Sequence, residues 1–309
     1  MNIYKNIDEL PDFEGQVVTI GTFDGVHKGH RSILDILQRA KHQYGGESMV
    51  LTFWPHPRMI LQPFNNELKL LNTLEEKILL LEEAGIDNLI ILPFTQAFSR
   101  LSYLEFIRTI LVEKLHVKVL VIGHDHHFGK NREGSFEQLA ECAPLYNFEL
   151  VRVPAEQIDN ISISSTKIRK ALIEGDVKKA AEYLGYFYNV SGIIRHGDER
   201  GRTIGFPTAN VSIDETYKLL PATGVYVVQI LVDGKKYYGM ANLGYRPTFQ
   251  GKDKTLEVNI FEFNEMIYDA KISVFFMDKL RNELTFANVD ALKKQLILDK
   301  ELALRILNI

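Results

Sequence analysis

Hydrophobic and polar residues in the first half of the chain follow two alternating spacings. Short β-branched and aliphatic runs, typical of strands buried on both faces, lie at 17–20, 49–53, 89–92 and 117–122. Between the first two runs, apolar residues recur at helical spacing within 31–41. Thr73 and Ser102 each precede a glutamate by three residues, which predicts helices that begin with capping boxes. Strands that alternate with helices predict a parallel sheet covered on both faces, with ligands at the carboxyl ends of the strands.

The pattern changes after about Gly185 to short alternating segments separated by turns. These segments lie at 224–232, 235–240, 256–263 and 271–276, and the end of the chain, 289–307, has an amphipathic helical pattern. Asp233-Gly234 is a strong hairpin signal between the first two segments. A helix capped by Asp176 precedes the change. We therefore predict an α/β, Rossmann-like domain over 1–184, and an antiparallel β-barrel with a C-terminal helix over 185–309.

Composition and charge narrow the class of protein. The chain has 309 residues, which suits two domains, and 46% hydrophobic residues, which suits a globular protein. A net charge of −4 argues against nucleic-acid binding, and a single cysteine, Cys142, excludes an intrachain disulfide. No apolar run approaches the roughly 20 residues that span a bilayer, and residues 1–15 lack a signal-peptide pattern. We expect a cytoplasmic protein that binds neither membranes nor nucleic acids.

A glycine- and histidine-rich stretch, 21–30, joins the first predicted strand to the first predicted helix. Gly21 and Gly25 let the backbone approach a ligand, and the helix start offers unpaired N–H groups to an anion. His27 and His30 are three residues apart, so both imidazoles can donate hydrogen bonds to phosphate oxygens. The alternative is a pair of ordinary turn histidines. No Walker-type phosphate loop occurs in the sequence.

Two further segments have phosphate-binding features. Ser164-Ser165-Thr166-Lys167-Ile168-Arg169 opens a predicted helix, so its hydroxyls, its N–H groups and its arginine can hold a triphosphate, although an ordinary helix cap is the alternative. In the second half, Gly197, Gly201 and Gly205 can form a loop that wraps phosphates. Thr208 and Asn210 supply two oxygens suited to Mg²⁺, and a glycine-rich hairpin followed by a turn is the alternative.

The first-half motifs resemble the bacterial bifunctional riboflavin kinase/FAD synthetase family. They are Thr22-Phe-Asp-Gly-Val-His-x-Gly-His30, Thr52-Phe-Trp-Pro-His-Pro57 and Ser164-Ser-Thr-Lys-Ile-Arg169, in the family's order and spacing. The resemblance implies a nucleotidyltransferase domain that moves AMP from ATP onto FMN, without a covalent enzyme intermediate. It places the ATP phosphates on His27 and His30, and the departing pyrophosphate on Mg²⁺. The remaining implied nucleotide contacts are Gly21, Phe23, Gly25, Ser165, Thr166 and Arg169.

The segment 123–129 departs from this family pattern at one position. Asp125 and Phe128 match and are implied to bind the flavin, but His126 stands where the family usually has phenylalanine. The neighbouring His124 and His127 raise the alternative of a metal site, with ordinary loop histidines as the simpler interpretation.

The second-half motifs resemble the riboflavin kinase part of the same family. They are Gly201-Arg-x-x-Gly-Phe-Pro-Thr-Ala-Asn210, Gly239-Met-Ala-Asn-Leu-Gly-x-Arg-Pro-Thr-Phe249, Leu256-Glu-Val258 and Leu280-Arg-x-Glu283. The resemblance implies a six-stranded barrel that phosphorylates the riboflavin 5′-hydroxyl with ATP. Glu257 is the candidate general base, since a carboxylate can take the hydroxyl proton, and a solvent-facing strand glutamate is the alternative. Arg202 is expected at phosphate, and Arg281 and Glu283 at the flavin. Asn259 replaces the family's usual histidine, and Thr285 its usual lysine.

The sequence thus predicts a transferase with two activities, which makes FMN in the barrel and FAD in the α/β domain. Its substrates are ATP, riboflavin and FMN, and Mg²⁺ accompanies ATP. One alternative is an enzyme in which one site has decayed, since His126 lies in the first site and Asn259 in the second. The other alternative is a flavin- or nucleotide-binding sensor without catalysis. The oligomeric state is left open.

Overall fold

The computed structural model describes residues 1–13, 15–62, 68–123, 126–153, 163–197, 200–248 and 251–309. The chain forms two compact units, Met1–Ser165 and Thr166–Ile309. This division lies upstream of the change in pattern at 184/185, because the helices that precede the change pack with the second unit. Leu172 accepts a backbone hydrogen bond from Ala222, and Lys178 pairs with Asp278 at 2.7 Å.

The first unit contains a six-stranded sheet in which every described strand pair is parallel. The strands are β1 (Asn2–Tyr4), β2 (Gln16–Ile20), β3 (Ser48–Trp54), β4 (Asn88–Pro93), β5 (Val117–Gly123) and β6 (Glu149–Val153). Their order is β1-β4-β3-β2-β5-β6. The four predicted strands are confirmed as β2 to β5. The edge strands β1 and β6 were not predicted, because each is short and polar residues interrupt it.

The helices of the first unit were predicted in part, by the helical spacing within 31–41 and by the start signals at Thr73 and Ser102. They are α1 (Lys28–Tyr44), α2 (Pro57–Leu61), α3 (Leu74–Glu83), α4 (Tyr103–Glu105), which continues as a π-helical segment (Phe106–Val112), and α5 (Phe136–Tyr146). Both predicted capping boxes are present, at Thr73 and at Ser102. The helices α2 and α5 were not predicted, and Pro144 lies inside α5.

The core of the first unit lies on the central strands. Val18, Leu51 and Leu120 are completely buried on neighbouring strands and pack with Ile107 and Leu111 of the π-helical segment. Strand order reverses between β2 and β5, because the chain runs from β2 through β3 to β4 and then returns to the other side of β2. The loops that follow β2 and β5 therefore separate at a topological switch point, where open α/β sheets bind their ligands.

Two helices precede the barrel, α6 (Ser165–Glu174), which belongs to the second unit from Thr166 onward, and α7 (Val177–Leu184). The Asp176 side chain caps α7 as predicted, and Gly185 ends it in the left-handed conformation. Six strands then form a closed antiparallel barrel. They are β7 (Asn189–Arg195), β8 (Ala209–Ser212), β9 (Gly224–Val232), β10 (Lys235–Thr248), β11 (Gly251–Ile260) and β12 (Lys271–Arg281), with the short helix α8 (Arg200–Thr203) before β8.

The barrel closes in the order β10-β11-β8-β7-β12-β9, with β9 paired again to β10. Asp233 and Gly234 both have positive φ in the β9–β10 hairpin, which explains why this dipeptide marks the turn. The predicted segment at 256–263 forms the end of β11, but pairing stops at Ile260. Phe261 instead packs with Ala303 of the C-terminal helix α9 (Val289–Leu307), which has the predicted bounds. Among the described helices, none has the length and apolar character to cross a membrane.

Candidate active sites

The loop between β2 and α1 holds two stacked histidines at the helix start. His27 is the N-cap of α1, and its Nδ1 accepts a hydrogen bond from the backbone N–H of His30 at 3.3 Å. The two imidazole rings are nearly parallel, with centroids 3.7 Å apart. Phe23, Gly25 and Val26 all have positive φ, so the loop turns sharply before the helix. The predicted pairing of His27 with His30 on one turn is thus present in the structure.

The imidazoles of His27 and His30 each have an identifiable hydrogen-bonding arrangement. Since Nδ1 of His27 accepts a hydrogen bond, the proton of its neutral form is on Nε2. Burial holds the pKa of His30 well below its usual value, and the nearby His27 and Lys77 lower it further. Within the described residues, Nδ1 of His30 is buried without a hydrogen-bond partner. An anion at the helix start would receive N–H donors from a preorganised pair.

A buried lysine supplies positive charge beside these histidines. Lys77 on α3 is 3% exposed, and burial lowers its pKa to about 8, while Asp24 acts in the opposite direction. The Asp24 carboxylate accepts hydrogen bonds from the backbone N–H groups of Leu71 and Asn72, at 2.9 and 3.4 Å. Lys77 was not among the residues predicted for this site. Its position one turn before the buried Leu81 was a usable signal, because it puts a charge on the apolar face of α3.

The other residues predicted for the first site have different surroundings. Phe23 is 2% exposed and packs against His30, with centroids 5.1 Å apart, so it supports the imidazole from the interior. A Cβ on Gly21 would lie 3.0 Å from the Phe23 ring, and the Ser165 hydroxyl donates to the Asp24 carbonyl oxygen at 2.9 Å. Thr166 and Arg169 lie on α6 and belong to the second compact unit.

The predicted flavin side of this unit is aromatic. Phe128 is 9% exposed and packs against Phe106, with centroids 5.5 Å apart. His126 stacks on Phe128 at 5.9 Å, so an aromatic ring occupies the position where the family usually has phenylalanine. Asp125 and His124 lie outside the described residues. Among the residues that are described, no group of three or more His, Cys, Asp and Glu side chains is placed to hold a metal ion.

A row of polar side chains crosses three strands of the barrel. Glu257 on β11 is directly opposite Asn210 on β8 and Asn242 on β10. Direct cross-strand partners lie on the same face of a sheet. The flanking Leu256 and Val258 are almost completely buried, so the row lies on the outer face of the barrel. Asn242 was missed by the sequence analysis, because only strand register brings it beside Glu257.

The glycine loop before β8 fits closely around this row. A Cβ on Gly197 would collide with the side-chain amide of Asn210, and a Cβ on Gly201 would collide with the Phe206 carbonyl oxygen. Gly205 has open space around it but a φ of 85°, so it is needed for its backbone conformation. Glycines are therefore required here for two different reasons, close approach and positive φ.

The donor set beside Glu257 suits a hydrated magnesium ion. Thr208 immediately precedes β8 and Asn210 is the second residue of that strand, so two side-chain oxygens stand two residues apart at the strand start. Both oxygens are neutral, as expected for a Mg²⁺ that keeps waters and is bound mainly by nucleotide phosphates. The tight cradle that Gly197 leaves around the Asn210 amide supports this fit.

Arg281 and Glu283, predicted at the flavin, differ in their contacts. The Arg281 guanidinium donates Nε and Nη2 hydrogen bonds to the Asp299 carboxylate on α9, at 3.0 and 2.7 Å. Gln295 donates to the same carboxylate at 2.9 Å. The exposed Glu283 lies against Gly244, close to the Asn242 amide. Glu283 therefore extends the polar row, whereas Arg281 ties β12 to the C-terminal helix. Arg202 lies exposed on α8.

The fold and its two sets of side chains define a class of protein, a transferase with a nucleotidyltransferase-type α/β unit and a kinase-type barrel. Family models agree with each part, since one described as FAD synthetase matches residues 10–167 and one described as riboflavin kinase matches residues 184–307. The chain belongs to the bifunctional riboflavin kinase/FMN adenylyltransferase family.

Relatives with that name cover nearly the whole chain. The protein from Listeria monocytogenes is 39% identical over 95% of this chain and 93% of its own length. The protein from Escherichia coli K12 is 38% identical over 96% and 93%. A solved structure named as a macrolide-efflux protein from Streptococcus pneumoniae covers 97% of both chains with a TM-score of 0.88 and 33% identity. The name macrolide-efflux protein is that of the Streptococcus protein alone. The family of this chain is shown by the two family models and by the relatives from Listeria and Escherichia.

Proposed function

We propose that this chain phosphorylates riboflavin to FMN in residues 185–309 and transfers AMP from ATP to FMN in residues 1–184. The family's relatives bear the names of both activities. The observation that carries the proposal is that each unit keeps its reactive side chains together. The first has the stacked His27 and His30 at a helix start, and the second has Glu257 in register with Asn210.

Glu257 is the general base of the kinase reaction. Its carboxylate takes the proton of the riboflavin 5′-hydroxyl as that oxygen attacks the γ-phosphorus of ATP. The bond from the γ-phosphorus to the bridging oxygen breaks, and ADP leaves. The glycine loop holds the phosphates through its backbone N–H groups, with Arg202 as a further contact. Thr208 and Asn210 would hold Mg²⁺, whose chemistry would be to neutralise negative charge on the nucleotide phosphates.

In the adenylyltransferase reaction the protein positions its substrates and stabilises charge. An FMN phosphate oxygen attacks the α-phosphorus of ATP, the bond to the α–β bridging oxygen breaks, and pyrophosphate leaves. His27 and His30 donate N–H hydrogen bonds to the phosphate oxygens on which charge grows. Gly21, Phe23 and Gly25 shape the nucleotide side, and Ser165 contributes a hydroxyl. The resemblance assigns Thr166 and Arg169 to the β- and γ-phosphates.

Two of the three departures from the family pattern, His126 and Asn259, are chemically accommodated. His126 keeps an aromatic ring stacked on Phe128, where FMN is proposed to bind beside Asp125. Asn259 makes a buried hydrogen bond in the kinase unit, described below. On the riboflavin side, Glu283 lies in the polar row, and Arg281 fixes the end of β12 through Asp299. With a free buried Cys142 and ATP as co-substrate, we propose a cytoplasmic enzyme.

The direct test is a time course with riboflavin, ATP and Mg²⁺, with the flavins separated by chromatography. FMN that rises before FAD is the expected result. FMN alone would contradict the adenylyltransferase part of the proposal. FAD formed only from supplied FMN would contradict the kinase part. Binding of both flavins without turnover would contradict both parts and indicate a sensor.

A further inference from the structure

Asn259 lies beside the proposed base of the kinase site. It follows Glu257 by two residues on β11, so the two side chains share one face of the strand. Asn259 is 8% exposed, and its Nδ2 donates a hydrogen bond to the Pro207 carbonyl oxygen at 2.7 Å. A buried amide with a short hydrogen bond to a neighbouring segment fixes that segment in place.

The Pro207 carbonyl is the last backbone group before the proposed magnesium ligands. Described pairing between β8 and β11 runs over Val211, Asn210 and Ala209, and it ends at the pair of Ala209 with Val258. Pro207 has no N–H group with which to continue the ladder. The Asn259 amide therefore supplies the next connection between the two strands, at the point where Thr208 leaves the sheet.

We propose that Asn259 is a positioning residue of the kinase site, which holds Pro207 so that Thr208 and Asn210 stay in register with Glu257. The inference rests on the proposed kinase function and concerns the binding of the magnesium–nucleotide complex. It also explains why asparagine can replace the family's usual histidine here, because an imidazole N–H and an amide N–H are both hydrogen-bond donors.

The test compares N259L, N259H and the matched control N264L by calorimetry. Leucine removes the donor at similar size, histidine keeps one, and Asn264 is an exposed asparagine just beyond the same strand. Loss of one hydrogen bond to a positioned group corresponds to about a tenfold change in affinity. We expect N259L to raise the Kd for ADP about tenfold in the presence of Mg²⁺ but little in its absence. N259H should stay within about threefold of the parent protein, and N264L should match it.

Steady-state kinetics on the same proteins separate the possible outcomes. We expect N259L to require more Mg²⁺ for half-maximal FMN formation, while FAD formation from supplied FMN is unchanged. Equal weakening of ADP binding with and without Mg²⁺, or unchanged binding in N259L, would overturn the positioning role. If N259L fails to fold, N259D, which is isosteric but lacks the donor in its ionised form, is held to the same criterion. A parent protein that binds Mg²⁺–ADP but does not phosphorylate riboflavin would contradict the proposed function instead.

Discussion

The two sites hold their reactive groups by different parts of the fold. In the first unit, His27 and His30 lie at the start of the helix that follows β2, and burial lowers the pKa of His30 and of Lys77. In the barrel, Glu257 and Asn210 are set opposite each other by strand register alone. The first site should therefore respond most to changes in charge and burial, and the second to changes in strand geometry.

The largest expected effect, and the strongest test that the sites are separate, is E257Q. Glutamine keeps the shape of the side chain but cannot take the hydroxyl proton, so FMN formation should fall by about 10²- to 10⁴-fold. FAD formation from supplied FMN should be unchanged, because Glu257 belongs to the barrel. Chromatography of the flavins measures both rates in one sample. Simultaneous loss of both activities in a folded protein would show that the sites are not independent.

A matched pair at His27 tests whether the first site depends on donated hydrogen bonds. Asparagine retains a side-chain acceptor for the N-cap but loses the Nε2 donor, so H27N should lower FAD formation by about 10²- to 10³-fold with an unchanged melting temperature. H27A loses the cap as well, and should cost about 1 kcal/mol of stability in addition. FMN formation is the internal control for both variants. Full adenylyltransferase activity in H27N would exclude the donor role.

The next prediction concerns the barrel site, where the geometry of the strands and the glycine loop positions the reactive groups. A Cβ on Gly197 would meet the Asn210 amide, so G197A should displace a proposed Mg²⁺ ligand and lower FMN formation by about 10- to 100-fold. The control is G234A in the β9–β10 hairpin, where φ is positive but the space is open, so that no contact is made. It should lower the melting temperature without changing the KM for ATP. If G234A lowers FMN formation as much as G197A does, a general loss of barrel stability rather than contact with Asn210 explains the result.

Much of the fold was predictable because it depends on local signals. The bounds of β9 and α9 are those that the alternation and the amphipathic pattern predict, and the capping boxes at Thr73 and Ser102 are present. The strand β8, only four residues long, was not recognised, because its sequence was interpreted as a set of ligands. Short strands give too few alternations to establish a period.

The parts of the candidate sites that could be predicted are those whose residues are close together in the sequence. His27 and His30 are neighbours in sequence and remain so in space. Asn242 and Asn259 depend instead on pairing between strands, which no local pattern specifies. The tie from Arg281 to Asp299 is likewise a contact between distant elements, and it gives a predicted flavin residue a structural partner. Register and long-range pairing are thus what the sequence analysis lacked.

The smallest expected effect concerns Lys77, and it combines stability with function. Burial lowers the pKa of this lysine from its usual 10.5 to about 8. Between these two pKa values the unfolded state therefore binds more protons than the folded state. The free energy of unfolding consequently rises from pH 8 to about pH 10.5. Below pH 8, the folded protein bears the full cost of burying the charge. The difference between the two pKa values corresponds to about 3 kcal/mol. This is the most that removal of the charge can add to the free energy of unfolding.

K77M removes this charge at similar size. At pH 7 the variant should unfold at a higher denaturant concentration than the parent protein, and it should lose the rise in stability above pH 8. FAD formation should fall about tenfold, because the His27–His30 pair then faces the phosphates without a neighbouring cation. K5M, which removes an exposed lysine from the same unit, should change neither property. A K77M protein that is less stable at pH 7 would show that attraction between the Asp24 carboxylate and the Lys77 ammonium group outweighs the cost of burying that charge. That result would make Lys77 a structural residue. The His27–His30 site could then no longer be distinguished from the barrel site by the effect of burial on its charged groups.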